Sequence, residues 1–448
     1  MKPSIFFSLC AICLIAFVQM YSQAMSRPPK TDINLYGHLN QSCIGHNGGH
    51  VYLQLEVVTG NHHERQRRPM NISVVLDRSG SMADERKIEY AKQAVKSLID
   101  RLSSEDYLSI VIYDDQIETL LPTQHVNDKR YIKHLVDEVY PRGSTNLGGG
   151  MIEGFRQIEQ NLRREYVNRV ILLSDGLANQ GITDPGELNR IASRYRSKSI
   201  SLSSMGVGLD YNENLMLGLS ESGGGNYYFI ESPNQLAYIF ERELQGLVAV
   251  VAQNAYIELK TGKGVTVNSV IGTGSTRNDN CWILSLGDIY ANEHRELTVE
   301  LDIPEGSGTK NAISAILKYD SDETRTNNFP EFSANIHYSD DVAELNKSKD
   351  WDTQAKVDVA VSTKSVERAM KALDDGRRDE ADKALIEAKE ALLNSPAVAN
   401  SAAGAAMIEV QARQLEEFSG KLKDEKSDQR QIKKSMQYKN YQTQKKKE

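Results

Sequence analysis

The chain has 448 residues, of which 40% are hydrophobic and 25% charged, and its formal net charge is −8. This composition is typical of an ordinary globular protein with two or three domains. Nucleic-acid binders carry an excess of positive charge that attracts phosphates. The acidic balance of this chain gives no reason to expect a nucleic-acid partner.

The first 24 residues are typical of a secretory signal peptide. Lys2 precedes an apolar run over residues 5–18, and residues 22–24 (Ser-Gln-Ala) place small side chains where a signal peptidase reads. We therefore expect residues 1–24 to be cleaved and the protein to be periplasmic, cell-surface or extracellular. An uncleaved membrane anchor is the alternative, although the run is shorter than the ~20 residues that span a bilayer. No later segment reads as a transmembrane span.

Two cysteines, Cys43 and Cys281, remain after the signal. Lone cysteines of an exported protein can pair in an oxidising compartment. We expect a disulfide between them, which would close a very long loop and stabilise the fold by about 4 to 5 kcal/mol on the chain-entropy argument. Two unpaired thiols are the alternative.

Strands and helices alternate between residues 70 and 250. The predicted helix at 84–103 has apolar residues at helical spacing, and residues 116–121 are expected to add an antiparallel edge strand. Strands that alternate with helices of this length predict a doubly wound, mainly parallel α/β sheet covered on both faces. The other predicted strands are 71–77, 107–113, 167–174, 200–207 and 226–230, and the other helices are 128–140, 151–165, 185–197, 212–220 and 235–247.

The flanking segments have a different pattern. Short runs rich in β-forming residues, broken by Gly, Asn, Asp and Pro, lie within residues 25–69 and 251–340. Such a series predicts an antiparallel β-sandwich. Because strands from both sides are needed to complete it, the α/β domain at 70–250 is predicted to be inserted at one end of this sandwich.

The C-terminal part is predicted to be helical. Residues 351–423 are predicted to form a helical hairpin followed by a further helix. The two helices of the hairpin are predicted at 353–373 and 377–393, and the further helix at 407–423. From Lys421 to the end there are 10 Lys/Arg against 4 Asp/Glu and almost no aliphatic residues. We expect residues 424–448 to be a disordered basic tail. Weak electrostatic association of this tail with an anionic surface is the alternative.

Three segments supply oxygen ligands for a small, hard cation. Asp77, Ser79 and Ser81 follow an apolar strand as Asp-x-Ser-x-Ser, Thr145 lies in a Gly-rich loop that enters a helix, and Asp175 ends a second apolar strand. Mg²⁺ binds six oxygens and keeps several waters. The two strand ends meet at the carboxyl edge of the sheet, where open α/β sheets bind ligands. Arg78, at the variable position, is predicted to be solvated.

This set resembles the metal-ion-dependent adhesion site of the von Willebrand factor A domain, over about residues 70–247. The resemblance implies that Ser79, Ser81 and Thr145 bind Mg²⁺, for which Mn²⁺ can often substitute, and that Asp77 and Asp175 act largely through water. It also implies that an acidic residue of a protein partner fills the open position. The wider layout resembles bacterial secreted proteins of the calcium-activated chloride channel or inter-alpha-inhibitor-like group, although we predict no conduction.

Three functions are consistent with these patterns. We predict first an exported, adhesion-type module that captures an exposed Asp or Glu of a partner through Mg²⁺. The second is a structural or assembly role in the cell envelope, with the metal site secondary. A metal-dependent hydrolase is third, because no Gly-x-Ser-x-Gly elbow and no nucleophile with a paired base occurs in the sequence, so no catalytic residue is assigned. In a purely structural interpretation, Ser79 and Ser81 cap a helix and Asp175 closes a turn.

Overall fold

The computed structural model describes residues 33–60, 67–278, 281–320, 329–424 and 426–445. The predicted signal peptide lies outside these residues. Three strands come first in the chain and belong to a β-sandwich: β1 (Ile33–Leu39), β2 (Cys43–Ile44) and β3 (Gly49–Thr59).

An α/β domain follows and contains a six-stranded sheet. Its strand order is β6-β5-β4-β7-β8-β9. All neighbours are parallel except the edge pair β5 and β6, which is antiparallel as predicted. The α/β fold class is therefore confirmed. The strands are β4 (Met70–Asp77), β5 (Tyr107–Tyr113), β6 (Ile117–His125), β7 (Val167–Ser174), β8 (Ser201–Val207) and β9 (Gly224–Ile230).

Six α-helices cover the two faces of this sheet. They are α1 (Lys87–Arg101), α2 (Lys129–Asp137), α3 (Leu147–Glu159), α4 (Pro185–Arg196), α5 (Glu213–Gly223) and α6 (Leu236–Val248). The first helix starts later than predicted. Residues Gly80–Arg86 form a 3₁₀ segment in which Glu85 and Arg86 have left-handed φ angles of 52° and 58°. This break separates the Asp-x-Ser-x-Ser turn from α1.

The rest of the sandwich follows the α/β domain. Its strands are β10 (Val250–Thr261), β11 (Thr266–Ile271), β12 (Gly274–Asn278), β13 (Cys281–Tyr290), β14 (His294–Ile303), β15 (Gly308–Asp320) and β16 (Glu331–Tyr338). A four-stranded sheet, β1-β3-β14-β11, packs on a six-stranded sheet, β12-β13-β10-β15-β16-β2. The α/β domain is thus inserted between β3 and β10 of the sandwich.

The predicted disulfide is absent from the structure, where Cys43 and Cys281 are both free thiols. Their strands, β2 and β13, lie in the same sheet with β10, β15 and β16 between them. At ~4.8 Å per strand spacing, four spacings put the two residues roughly 19 Å apart. A disulfide needs Cα atoms within about 7 Å. Sequence spacing could not reveal this separation.

The C-terminal region is helical. Its helices are α7 (Val342–Lys347), α8 (Trp351–Asp374), α9 (Arg378–Leu393), α10 (Pro396–Asn400), α11 (Ala402–Lys423) and α12 (Gln429–Lys445). They share an apolar core of their own, which includes Val366, Leu385 and Phe418. In the described part of the chain, none of the helices combines the length and apolarity needed to cross a bilayer.

The prediction of a disordered tail is wrong, because α12 is a helix packed on the α/β domain. Tyr441 is 5% exposed and its ring meets that of Tyr227 edge to face. Lys434 is also buried, donating a hydrogen bond to the backbone oxygen of Tyr211 at 2.7 Å and pairing with Glu213. The basic residues conceal an amphipathic helix, since tyrosines and lysine stems supply its buried face.

A buried ionic cluster joins the α/β domain to the sandwich. The Arg169 guanidinium, on β7, lies 3.1 Å from a carboxylate oxygen of Glu243 on α6 and 2.5 Å from one of Asp288 on β13. All three side chains are 0 to 1% exposed. Removing one partner would leave a buried charge unpaired, which costs ~3–5 kcal/mol. The cluster therefore ties β7 and α6 of the α/β domain to β13 of the sandwich.

Candidate metal site

Asp77 lies at the carboxyl end of the fully buried central strand β4. Its Oδ1 accepts a hydrogen bond from the Ser79 backbone N–H at 2.8 Å, and its Oδ2 accepts one from the Ser174 hydroxyl at 2.7 Å. Burial raises the pKa of Asp77 to about 6, against the opposing effect of these hydrogen bonds. Because burial disfavours the ionised form of Asp77, a nearby cation would stabilise that form.

Two hydroxyls follow Asp77 on the same loop. Ser79 Oγ and Ser81 Oγ are 3.3 Å apart. Adjacent oxygens of an octahedral Mg²⁺ shell with bonds of ~2.1 Å are separated by ~3.0 Å. The two serines thus lie close to the spacing of neighbouring ligands, and the left-handed residues Glu85 and Arg86 separate them from α1.

Thr145 reaches the same place from the loop before α3. The Gly80 N–H donates to the backbone oxygen of Gly143 at 3.1 Å, which ties this loop to the serine loop. Gly143 has a φ of 68°, and a Cβ there would lie 2.1 Å from a carboxylate oxygen of Asp115, so only glycine fits. The Thr145 hydroxyl lies 3.4 Å from the point where a Cβ on Gly176 would be.

Asp175 lies directly after β7, on the neighbouring strand. Its Oδ1 accepts a hydrogen bond from the Ser81 hydroxyl at 2.8 Å, and its Oδ2 is 2.8 Å from the ammonium of Lys87. Ser81 Oγ lies 3.6 Å from the same Gly176 point that Thr145 approaches. The structure therefore brings all five predicted residues together at one edge of the sheet.

The prediction that Arg78 is solvated is wrong. Its side chain is 5% exposed and its Nε donates to Asp114 Oδ2 at 2.8 Å. Arg142 donates to the same oxygen at 2.8 Å, and its N–H donates to the Arg78 backbone oxygen at 2.7 Å. Although burial opposes it, these arginines hold the pKa of Asp114 below its ordinary value. Asp114 thus organises the loops behind the site.

Sequence reasoning missed four supporting residues: Lys87, Asp114, Ser174 and Asn179, whose Oδ1 accepts a hydrogen bond from the Thr145 N–H at 2.9 Å. The position of Lys87 in the sequence could have indicated its role. It stands four residues before Ala91 and eight before Val95, on the buried stripe of the predicted helix, where an unpaired lysine would be costly. The pattern indicates a buried anion opposite that position.

The loops that carry the site residues also bear exposed side chains, here called the exposed rim. Leu177 is 56% exposed only two residues after Asp175, and Tyr140 is 59% exposed. The Arg142 guanidinium lies 6.0 Å from the Tyr140 ring centre. The exposed rim thus carries an apolar side chain, an aromatic ring and a half-exposed cation.

The donor set is compatible with a hard divalent cation. It consists of hydroxyls and carboxylates, the oxygen ligands that Mg²⁺ and Mn²⁺ accept, without the thiolate or imidazole typical of zinc sites. Three hydroxyls and two carboxylates from three loops leave part of a six-ligand shell to water or to a partner.

Comparisons with known proteins identify the family of the α/β domain. The model of the von Willebrand factor type A domain matches residues 71–242. The uncharacterised protein YfbK of Escherichia coli (strain K12) is 27% identical over 273 residues, 59% of this chain and 46% of that one. Inter-alpha-trypsin inhibitor heavy chain H3 of Homo sapiens is 26% identical over 198 residues, 41% of this chain and 21% of that one. These matches span less than half the length of each relative.

A solved structure, the von Willebrand factor type A protein from Catenulispora acidiphila, shares the fold over most of the chain. Its TM-score is 0.73 at 16% identity, covering 93% of this chain and 98% of that one. That likeness extends beyond the α/β domain to the sandwich and helices. Residues 71–242 of this chain therefore form a von Willebrand factor type A domain.

Proposed function

We propose that this protein is an exported module that binds an exposed Asp or Glu of a protein partner through Mg²⁺, or Mn²⁺ in its place. Von Willebrand factor type A domains bind protein ligands, often through a metal-ion-dependent adhesion site. The single observation that carries the proposal is the convergence of Asp77, Ser79, Ser81, Thr145 and Asp175 beside an exposed rim. Export rests on the N-terminal sequence.

The hydrogen bonds suggest how the ligands divide their roles. Both oxygens of Asp77 and both oxygens of Asp175 already accept bonds from protein donors. The two carboxylates would therefore contribute charge through water, while Ser79, Ser81 and Thr145 supply direct ligands. Neutral direct ligands leave bound Mg²⁺ electrophilic, so that a carboxylate can complete its shell.

Calorimetric titration with MgCl₂ and MnCl₂ tests the metal site. We expect wild type to bind one ion, and Asp77→Ala and Ser79→Ala to lose that binding. Glu165→Ala is a control, since this exposed residue precedes β7 whereas Asp175 follows it. Wild-type protein that shows neither binding nor thermal stabilisation with either ion would refute the proposal.

The open position is tested with Mn²⁺ as a relaxation probe. A carboxylate such as acetate should displace metal-bound water and lower the water proton relaxation enhancement of the Mn²⁺ complex. Methylammonium chloride at equal ionic strength should not.

A protein partner recovered with Mg²⁺ should be released by chelator and by Asp77→Ala. Equal retention by that variant would favour the structural or assembly role instead.

A further inference from the structure

A second cluster of potential metal ligands lies on the sandwich, away from the α/β domain. His294 and Glu296 are two residues apart on β14 and therefore point to the same face. Glu56 on β3 is directly opposite Glu296 in the antiparallel register. One ligand atom from each of the three residues lies within 4.8 Å of the others.

The distances within this cluster suit a four-coordinate ion. His294 Nε2 is 3.0 Å from Glu56 Oε2 and 3.6 Å from Glu296 Oε1. A tetrahedral Zn²⁺ with bonds of ~2.0–2.1 Å separates its ligand atoms by ~3.3 Å. Imidazole with carboxylates is a ligand set that Zn²⁺ accepts. Three protein ligands leave a fourth position open.

Lys356 on α8 now neutralises part of the charge. Its ammonium is 2.5 Å from Glu56 Oε1 and 3.0 Å from Glu296 Oε1. Although burial opposes it, the hydrogen bonds from Lys356 and His294 hold the pKa of Glu56 below its ordinary value. Like charges directly opposite in a sheet are unfavourable, and here a single ammonium bridges the two carboxylates. A divalent ion in its place would offset both.

The cluster is open to solvent through a cavity of ≈ 850 Å³. His294, Glu296 and Lys356 line it together with side chains of α11 and α12. The imidazole is 51% exposed, whereas the side chains of Glu56 and Glu296 are 13% and 5% exposed. An ion can therefore enter along the histidine, and the Lys356 stem has room to turn into the cavity.

We propose that Glu56, His294 and Glu296 form a Zn²⁺ site, separate from the one at the edge of the α/β sheet, with its fourth position facing this cavity. Lys356 is a competing internal cation that the metal displaces. Without the metal, Lys356 links this sheet of the sandwich to the helical region, since it belongs to α8.

The test uses the full chain carrying Asp77→Ala and Ser79→Ala, so that the first site contributes no metal binding. Zn²⁺ is titrated by calorimetry, and Co²⁺ by the intense visible absorption of its four-coordinate complexes. We expect one ion per chain in this background. His294→Ala should weaken binding at least 100-fold, whereas Lys356→Met should strengthen it about tenfold by removing the competitor. His337→Ala, an exposed histidine on β16, should change nothing.

Three results would overturn the proposal: no stoichiometric Zn²⁺ or Co²⁺ binding in this background, binding that survives His294→Ala, or weaker binding in Lys356→Met. Circular dichroism checks folding of each variant, and His294→Gln replaces His294→Ala if that variant unfolds. None of these measurements uses Mg²⁺ or the α/β-domain site, so this proposal and the proposed function can fail separately.

Discussion

Lys87 and Asp175 form a buried ion pair beside the proposed Mg²⁺ site, with Nζ 2.8 Å from Oδ2. The lysine side chain is 5% exposed and the aspartate carboxylate is not exposed at all. The pair places a fixed positive charge next to the position of a divalent ion. It stabilises the metal-free protein, and the same charge opposes metal binding.

Lys87→Met should therefore have two opposite effects. Mg²⁺ affinity should rise roughly tenfold, equivalent to about 1.4 kcal/mol, because a repulsive charge is removed. The free energy of unfolding without metal should fall by roughly 3 kcal/mol, because Asp175 loses its buried partner. Calorimetry and urea unfolding in chelator measure the two effects. Lys92→Met, also on α1 but paired with Glu89, is the control, and reduced Mg²⁺ affinity in Lys87→Met would contradict the expectation.

Asp77→Asn should stabilise the metal-free protein at neutral pH while abolishing Mg²⁺ binding. The pKa of Asp77 is about 6 in the fold against 3.8 ordinarily, so the folded state binds this proton more tightly than the unfolded chain. The penalty for the buried carboxylate is complete above pH 6 and is relieved as the pH falls from about 6 to 4. Ser174 can turn its hydroxyl to accept a bond from the new amide.

The expected gain at pH 7.5 is roughly 1 to 3 kcal/mol, shrinking toward zero near pH 4.5. Urea unfolding in chelator at both pH values measures it. Asp379→Asn, exposed on α9, should show the wild-type pH dependence. An Asp77→Asn protein that is less stable than wild type at pH 7.5 would show that the carboxylate is held by its hydrogen bonds more strongly than burial opposes it.

The parts of the site that were predictable are local. Asp77 and Asp175 each follow a run of buried apolar residues, and parallel strands bring their carboxyl ends to one edge. The supporting residues depend on long-range contacts: Asp114 meets Arg78 and Arg142 only after three loops have folded together. A residue's neighbours within its own loop do not specify such partners.

The same distinction explains the two errors outside the site. Whether Cys43 and Cys281 can meet depends on the strand order of a whole sheet. The helix α12 was hidden because Lys434 and Tyr441 are buried through lysine stems and aromatic rings. Charge counting treats such residues as solvated. Only the surface of the α/β domain, which supplies Glu213 and Tyr227, reveals what they contact.

Gly176→Ala should weaken Mg²⁺ binding with little effect on stability. The added methyl would lie 3.4 Å from the Thr145 hydroxyl and 3.6 Å from the Ser81 hydroxyl, in ordinary contact with both. It would occupy space between two proposed ligands, and we expect about a tenfold loss of affinity, or about 1.4 kcal/mol. Gly274→Ala, where an added Cβ meets nothing within 4 Å, is the matched control. Unchanged affinity in Gly176→Ala would mean that the ion lies elsewhere.

Tyr441→Ala should release α12 from the α/β domain. The ring is 5% exposed against Tyr227, and its hydroxyl accepts a bond from the Tyr227 N–H at 3.3 Å. Truncating a buried aromatic side chain costs ~3–5 kcal/mol, and here the loss falls on the docking of one helix. Hydrogen exchange of the α12 amides should accelerate while β4 and β7 stay protected. Tyr238→Ala, 65% exposed on α6, should leave exchange unchanged. If both variants exchanged alike, α12 would be held mainly by its other contacts, such as the Lys434–Glu213 pair, and not by the Tyr441 ring.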